Sequence, residues 1–67
     1  MKVETTQFKY SHSAGPRGRG HWLFYFKARD GSLSLDGPGF TCLYSEARDW
    51  ALRHAKERGA VSVEVAP

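Results

Sequence analysis

The stretch His21–Ala28, with the sequence HWLFYFKA, is the strongest strand signal in the chain and decides the fold. Aromatic residues suit the pleated surface of a sheet, and alternate residues point to opposite faces. Trp22, Phe24 and Phe26 would share one face, and Leu23, Tyr25 and Lys27 the other. The pattern therefore predicts a strand with two unlike faces, and it leaves open which of them is buried.

Strand and turn signals continue on both sides of this stretch. Upstream, Val3–Tyr10 has the composition of a strand, and Ser11–Gly20 contains three Gly and one Pro, which predicts a hairpin loop. Downstream, Asp30-Gly31 predicts a hairpin turn into a third strand that begins at Ser32. A second break at residues 36–39 precedes Phe40–Tyr44, which is either the continuation of that strand or a fourth one.

The C-terminal third predicts one helix and one strand. Ser45 is a favourable helix N-cap, and Gly59 is a favourable stop. Between them, small or aromatic residues recur at the spacing of one helical face, and alternating valines follow in Val61–Val65. The positions on that helical face are Ala47, Trp50, Ala51 and Ala55. The predicted fold class is α+β with the order βββ(β)αβ, in which one amphipathic helix packs on one face of an antiparallel sheet of three to five strands.

Length and composition set limits on the class of protein. The chain has 67 residues, which predicts a single domain over residues 1–67 with one small core. A single Cys cannot form an intramolecular disulfide, so we expect a cytoplasmic protein. No apolar run approaches the roughly 20 residues that span a bilayer, so no contact with a membrane is expected.

Positive charge is concentrated in the first half of the chain. The whole chain has a net charge of +3, yet residues 1–29 carry six Lys and Arg against one Glu, a net charge of +5. The loop Gly15-Pro16-Arg17-Gly18-Arg19-Gly20 lies within this half, flanked by His12 and His21. Arginine forks and exposed backbone amides bind phosphate, although a flexible loop can also be basic by chance.

The predicted sheet offers a second basic surface. If Phe24 and Phe26 face the helix, then Tyr25 and Lys27 face outward, where such side chains stack on bases and neutralise phosphates. The opposite register would expose an apolar patch suited to a protein partner or a dimer, and an ordinary solvated sheet face is the third interpretation. The candidate nucleic-acid-binding residues are Lys9, Arg17, Arg19, Trp22, Tyr25, Lys27 and Arg29.

Catalytic and metal-binding chemistry have little support in the sequence. No Cys or carboxylate has ligand spacing with the histidines, so no metal and no cofactor is expected. Cys42 with His54 is the only nucleophile–base pair that can be drawn, and Cys42 lies in an apolar strand where Cys usually packs as a small hydrophobe. The chain is therefore predicted to be a non-enzyme.

The layout resembles that of the AP2/ERF plant DNA-binding domains and is similar to the arm-binding domains of tyrosine-recombinase integrases. The resemblance rests on Gly18-Arg19-Gly20-His21-Trp22, on Phe40-Thr41, and on the helix that contains Ser45-Glu46-Ala47, Ala51 and Ala55. It implies major-groove contacts by Arg17, Arg19, Trp22, Lys27 and Arg29. This chain departs from the family in its uncharged residues 32–35, where the family has a run of arginines on adjacent strands.

Two classes of function follow from the sequence. The first is a nucleic-acid-binding module, with DNA favoured over RNA, which uses the basic Gly-rich loop and a sheet face. The second is a protein-interaction or inhibitor module that uses the uncovered sheet face or an edge strand, with a homodimer as one form. The size of the chain is also similar to that of small phage and plasmid accessory proteins, including anti-CRISPR proteins.

Overall fold

The computed structural model describes residues 1–67 and shows an α+β fold, as the sequence predicts. Six strands and two helices follow one another in the order βαββββαβ. The strands are β1 (Val3–Glu4), β2 (Arg19–Gly20), β3 (Phe24–Lys27), β4 (Leu33–Asp36), β5 (Cys42–Leu43) and β6 (Ser62–Val65). The helices are α1 (Thr6–His12) and α2 (Tyr44–Arg58). None of the helices is long and apolar enough to cross a membrane.

Four strands form the main sheet, in the order β1-β6-β3-β4. β3 is antiparallel to both of its neighbours, whereas β1 runs parallel to β6 with Val3 opposite Val63. The sheet is therefore mixed. β2 and β5 form a separate two-stranded antiparallel sheet, so the predicted strand at residues 40–44 is a new element and does not continue β4.

The core lies between α2 and one face of the main sheet. Ala47, Ala51 and Ala55 are completely buried, and their small side chains let the helix lie close to the sheet. Phe24 and Phe26 point toward the helix and are also buried. The sequence left open which face of this strand is buried, and the structure shows that it is the face of Phe24 and Phe26. Trp50 packs on both phenyl rings, with ring centroids 6.5 Å and 6.1 Å away, and remains partly exposed.

The C-terminal end of α2 is where the sequence predicts it, but the N-terminal end is not. Gly59 ends the helix in the left-handed conformation, with a φ of 68°, and its N–H donates to the carbonyl of Lys56. The N-cap is Leu43 instead of Ser45, which lies within the first turn. The Glu46 carboxylate accepts the Leu43 N–H at 3.0 Å, so a side chain of the first turn satisfies the amide of the N-cap residue. No side chain of the N-cap residue accepts an N–H of the first turn, as was expected of Ser45.

The predicted strand over Val3–Tyr10 is wrong, because only Val3 and Glu4 are extended and Thr6–His12 is helical. Strand propensity depends on having a neighbouring strand to pack against. In the parallel register with β6, the residue after Glu4 already reaches the level of Val65, where β6 ends. The chain therefore turns into α1, whose Phe8 and His12 rings stack one helical turn apart at 4.1 Å.

The hairpin between β3 and β4 has the predicted Asp-Gly turn. Gly31 has a φ of 91°, which a residue with a Cβ adopts only with strain. The Asp30 carboxylate accepts hydrogen bonds from the Ser32 N–H at 2.9 Å and from the Ser32 hydroxyl at 2.7 Å. These bonds to its charged form lower the pKa of Asp30.

Gly37, just after β4, is required by close packing. A Cβ built there would lie 2.3 Å from the carbonyl oxygen of Trp22, which is backbone and cannot rotate away. We expect Gly37→Ala to lower the free energy of unfolding by about 1–3 kcal/mol through forced backbone shifts, measured by urea denaturation. Gly15→Ala is the matched control, because its Cβ would meet only the end of the Lys9 side chain at 3.5 Å. Equal losses in both variants would contradict this account.

Asp36 links the end of β4 to the end of α2. Its carboxylate accepts hydrogen bonds from Arg58 and, at 2.8 Å, from the Gly37 N–H. These two bonds hold the pKa of Asp36 below its ordinary value, the Arg58 contact contributing more. The Arg58 guanidinium also lies 4.5 Å from the centre of the Phe26 ring, so the pair is anchored on the core.

A lowered pKa makes ionised Asp36 a stabilising group above its unfolded-state pKa, and this stabilisation is lost as the pH falls through the folded-state pKa. Asp36→Asn should therefore lower Tm at neutral pH and approach the wild type in acid. The measurement is Tm by circular dichroism from about pH 7 to about pH 2. In an Arg58→Met background the same substitution should have a smaller effect, and an undiminished effect would remove Arg58 as the main cause.

Candidate functional site

The basic loop follows α1 and leads into β2. Ser13 ends α1 in the left-handed conformation, with a φ of 60°, and its N–H donates to the carbonyl of Lys9. The loop does not join two paired strands, so the prediction of a hairpin loop is wrong: a helix precedes it, and β2 pairs with the distant β5. The Gly18 carbonyl accepts the Tyr44 N–H at 2.8 Å, which ties the end of the loop to the start of α2.

A groove of about 290 Å³ opens between α1, the loop and the residues that precede β3. We call it the basic groove. Arg17 and Arg19 line it together with His12 and His21, and no acidic side chain does. Its other lining residues are Phe8, Gly20, Trp22, Leu23, Ala66 and Pro67. The structure thus brings together both arginines of the loop and the two histidines that flank it.

Trp22 forms a fixed wall of the basic groove. It is buried, and its indole N–H donates to the Cys42 carbonyl at 3.1 Å. The Phe8 ring packs 5.6 Å away, and the Tyr44 ring meets Trp22 edge-on at 5.0 Å. Trp22 therefore shapes the groove from within the core, and it does not project from a sheet face as the resemblance to AP2/ERF domains implies.

The two arginines are free to bind a ligand. Both are exposed, and neither forms an ion pair, since the ion pairs of the protein join Arg48 to Asp49 and Arg58 to Asp36. A guanidinium presents a planar fork of donors that matches phosphate or carboxylate oxygens. Two such groups in a groove without acidic side chains form an anion-binding arrangement.

The remaining candidate residues lie elsewhere. Tyr25 and Lys27 line a shallow depression on the outer face of the main sheet, where Glu64 also contributes. Lys9 lies beside Arg48 and Asp49, near the start of α2, and Arg29 lies near the other end of that helix. The seven residues predicted from the sequence therefore do not form one site, and only Arg17, Arg19 and Trp22 meet in the basic groove.

The candidate residues from the sequence do not include Phe8, His12 and His21, which also line the basic groove. Phe8 and His12 are four residues apart, which places them on one side of α1, whereas a strand over Val3–Tyr10 would separate Phe8 from the loop. The tertiary contact between Phe8 and Trp22 is what closes this side of the groove. The spacing of four residues between Phe8 and His12 is the sequence signal that could have placed both rings on one face of a helix.

The other polar candidates are used in packing. The His54 Nδ1–H donates to the Trp50 carbonyl at 2.8 Å, and the two rings stack at 4.0 Å. Cys42 is a buried free thiol in the core. Burial raises the pKa of the Tyr44 hydroxyl. No group of three or more His, Cys, Asp or Glu side chains is placed to hold a metal ion.

Comparisons of this chain with protein-family models, with curated proteins and with solved structures find no significant match.

The bond from Trp22 to Cys42 couples the groove to the core. Trp22→Phe should lower the free energy of unfolding by about 1–3 kcal/mol, since it removes the donor and leaves a space in the wall. Urea denaturation measures this loss. Trp50→Phe is the matched control, because Trp50 is only partly buried. The proposed coupling would be refuted by a Trp22→Phe loss no larger than that of the control.

Proposed function

We propose that this protein is a nucleic-acid-binding module with no catalytic role, and that the basic groove holds the phosphate backbone. The observation that carries the proposal is the pairing of Arg17 with Arg19 in a groove that no acidic side chain lines. The phosphates of a nucleic acid hold a layer of condensed cations. Arginines that neutralise those phosphates release the cations, and this release supplies affinity.

The apolar wall of the groove supports the same proposal. Phe8 and Trp22 lie beside the arginines, so a sugar or a base next to a bound phosphate would meet an apolar surface. His12 and His21 add ring N–H donors at the rim. Phosphate contacts fix position and carry no sequence information directly, so we propose binding with weak sequence preference.

DNA is the first polymer to test, because the chain resembles AP2/ERF domains in its sheet-and-helix layout. That resemblance implies contacts from the sheet itself. Here the helix-facing side of the sheet is buried, and Tyr25 and Lys27 lie on the opposite side. The proposal therefore places the principal contacts at Arg17 and Arg19 instead of on the strands.

A protein-interaction or inhibitor module is the second candidate function. The observation that favours it is the exposure of Leu33 and Leu35 on the outer face of the sheet, at 64% and 53%. Apolar side chains on an uncovered face are typical of interaction sites. Absence of nucleic-acid binding would leave this as the favoured function.

The salt dependence of binding tests the basic groove. Fluorescence anisotropy with labelled duplex DNA, single-stranded DNA and RNA should show affinity that falls as salt rises. Arg17→Ala/Arg19→Ala should reduce the slope of log affinity against log salt by about 2 for duplex DNA, since each phosphate contact contributes about 0.9.

The matched control removes two positive charges from elsewhere on the surface. Arg53→Ala/Lys56→Ala changes two exposed side chains on α2, away from the basic groove, that form no ion pair. It should leave the slope almost unchanged. Equal reductions in the two double variants would show binding to overall charge and would overturn the assignment to the groove, and no binding at low salt would overturn the function itself.

A further inference from the structure

β4 forms one edge of the main sheet and pairs only with β3. Its other side has no strand partner, so its outward N–H and C=O groups are available for pairing. The edge is also apolar on its outer face, where Leu33 and Leu35 lie next to Lys27 and Tyr25 of β3. An open edge of this kind accepts a further strand.

The ladder shows which main-chain groups point outward. The Ala28 N–H donates to the Ser32 carbonyl at 2.8 Å, which makes these two residues a hydrogen-bonded pair. Such pairs alternate with non-bonded pairs in an antiparallel ladder. The main-chain groups of Ser34 therefore point toward β3, and those of Leu33 and Leu35 point toward the free edge.

We propose that β4 pairs with β4 of a second copy of this chain, antiparallel and about a two-fold axis at Ser34. In this register Leu33 lies opposite Leu35 of the second copy, and Leu35 lies opposite Leu33. Each of these two pairs joins residues whose N–H and C=O groups both point outward, so each forms two hydrogen bonds. The two sheets become one continuous sheet of eight strands.

The side chains fit this register and favour a second copy as the occupant. Opposite residues of an antiparallel pair share a face, so four leucines meet on the outer face of the joined sheet. Asp36 lies opposite Ser32 of the second copy, so no like charges face each other across the new pair. Complementarity in both hydrogen bonding and charge therefore favours a second copy as the partner of β4.

The dimer is expected to be weak, and salt should strengthen it. Only five residues of each copy, Ser32–Asp36, lie opposite each other, and they bury far less area than a standard stable interface. Each copy carries a net charge of +3, so salt reduces repulsion between the copies. Salt should therefore strengthen the dimer, whereas it should weaken phosphate binding in the basic groove. The dimer does not depend on the proposed function.

Sedimentation equilibrium with two charge variants tests the register. Leu33→Glu/Leu35→Glu places carboxylates opposite each other and should abolish self-association. Leu33→Glu/Leu35→Lys places opposite charges together and should retain it, while changing the same two exposed positions. The concentration range is about 10 μM to about 1 mM, which covers weak dimers. A wild type that stays monomeric throughout, or association of the Glu/Glu variant equal to that of the wild type, would overturn the proposal.

Amide hydrogen exchange on the unmodified protein provides a second measurement that needs no variant. The amides of Leu33 and Leu35 should exchange fast in dilute solution and become several-fold slower at high concentration. The Ser34 amide, which points toward β3, should change little. Protection that rises with concentration elsewhere in the chain, but not at Leu33 and Leu35, would place the interface on another surface and refute the pairing of β4.

Discussion

The structure depends on close contact between the alanine face of α2 and the large side chains of β3 and β6. Ala47, Ala51 and Ala55 are fully buried against the side of the sheet that carries Phe24 and Val63. Only ten of the 67 residues are buried, so little apolar surface is available to balance the entropy of ordering the chain. One helix can cover only one face of the sheet, and the outer face is left open.

Trp22 extends this core to the basic groove. Its indole N–H donates to Cys42, a residue of β5, and β5 pairs with β2, which contains Arg19. The sequence predicts that Trp22 contacts a ligand. In the structure Trp22 instead helps to position β2, the strand that carries Arg19. Support of this kind matters for an anion site, because the backbone that carries Arg19 is already ordered before a ligand binds.

The basic groove and the β4 edge lie on different elements. Arg17 lies in the loop and Arg19 in β2, whereas Leu33 and Leu35 lie in β4. The β4 edge uses no residue of the core, whereas Trp22 belongs both to the core and to the wall of the basic groove. A dimer formed through β4 would present two basic grooves, and two linked sites bind one polymer more tightly than either site alone.

The sequence by itself determined the α+β class, the Asp30-Gly31 turn, the two-faced strand at β3 and the end of α2 at Gly59, because turns, alternation and helix caps are local properties of the chain. It also pointed to Arg17 and Arg19. Only the tertiary structure decided that residues 6–12 are helical, since a strand there would have passed the end of β6. It also decided which face of β3 is buried and that Phe8 meets Trp22, because these depend on which distant segments come together.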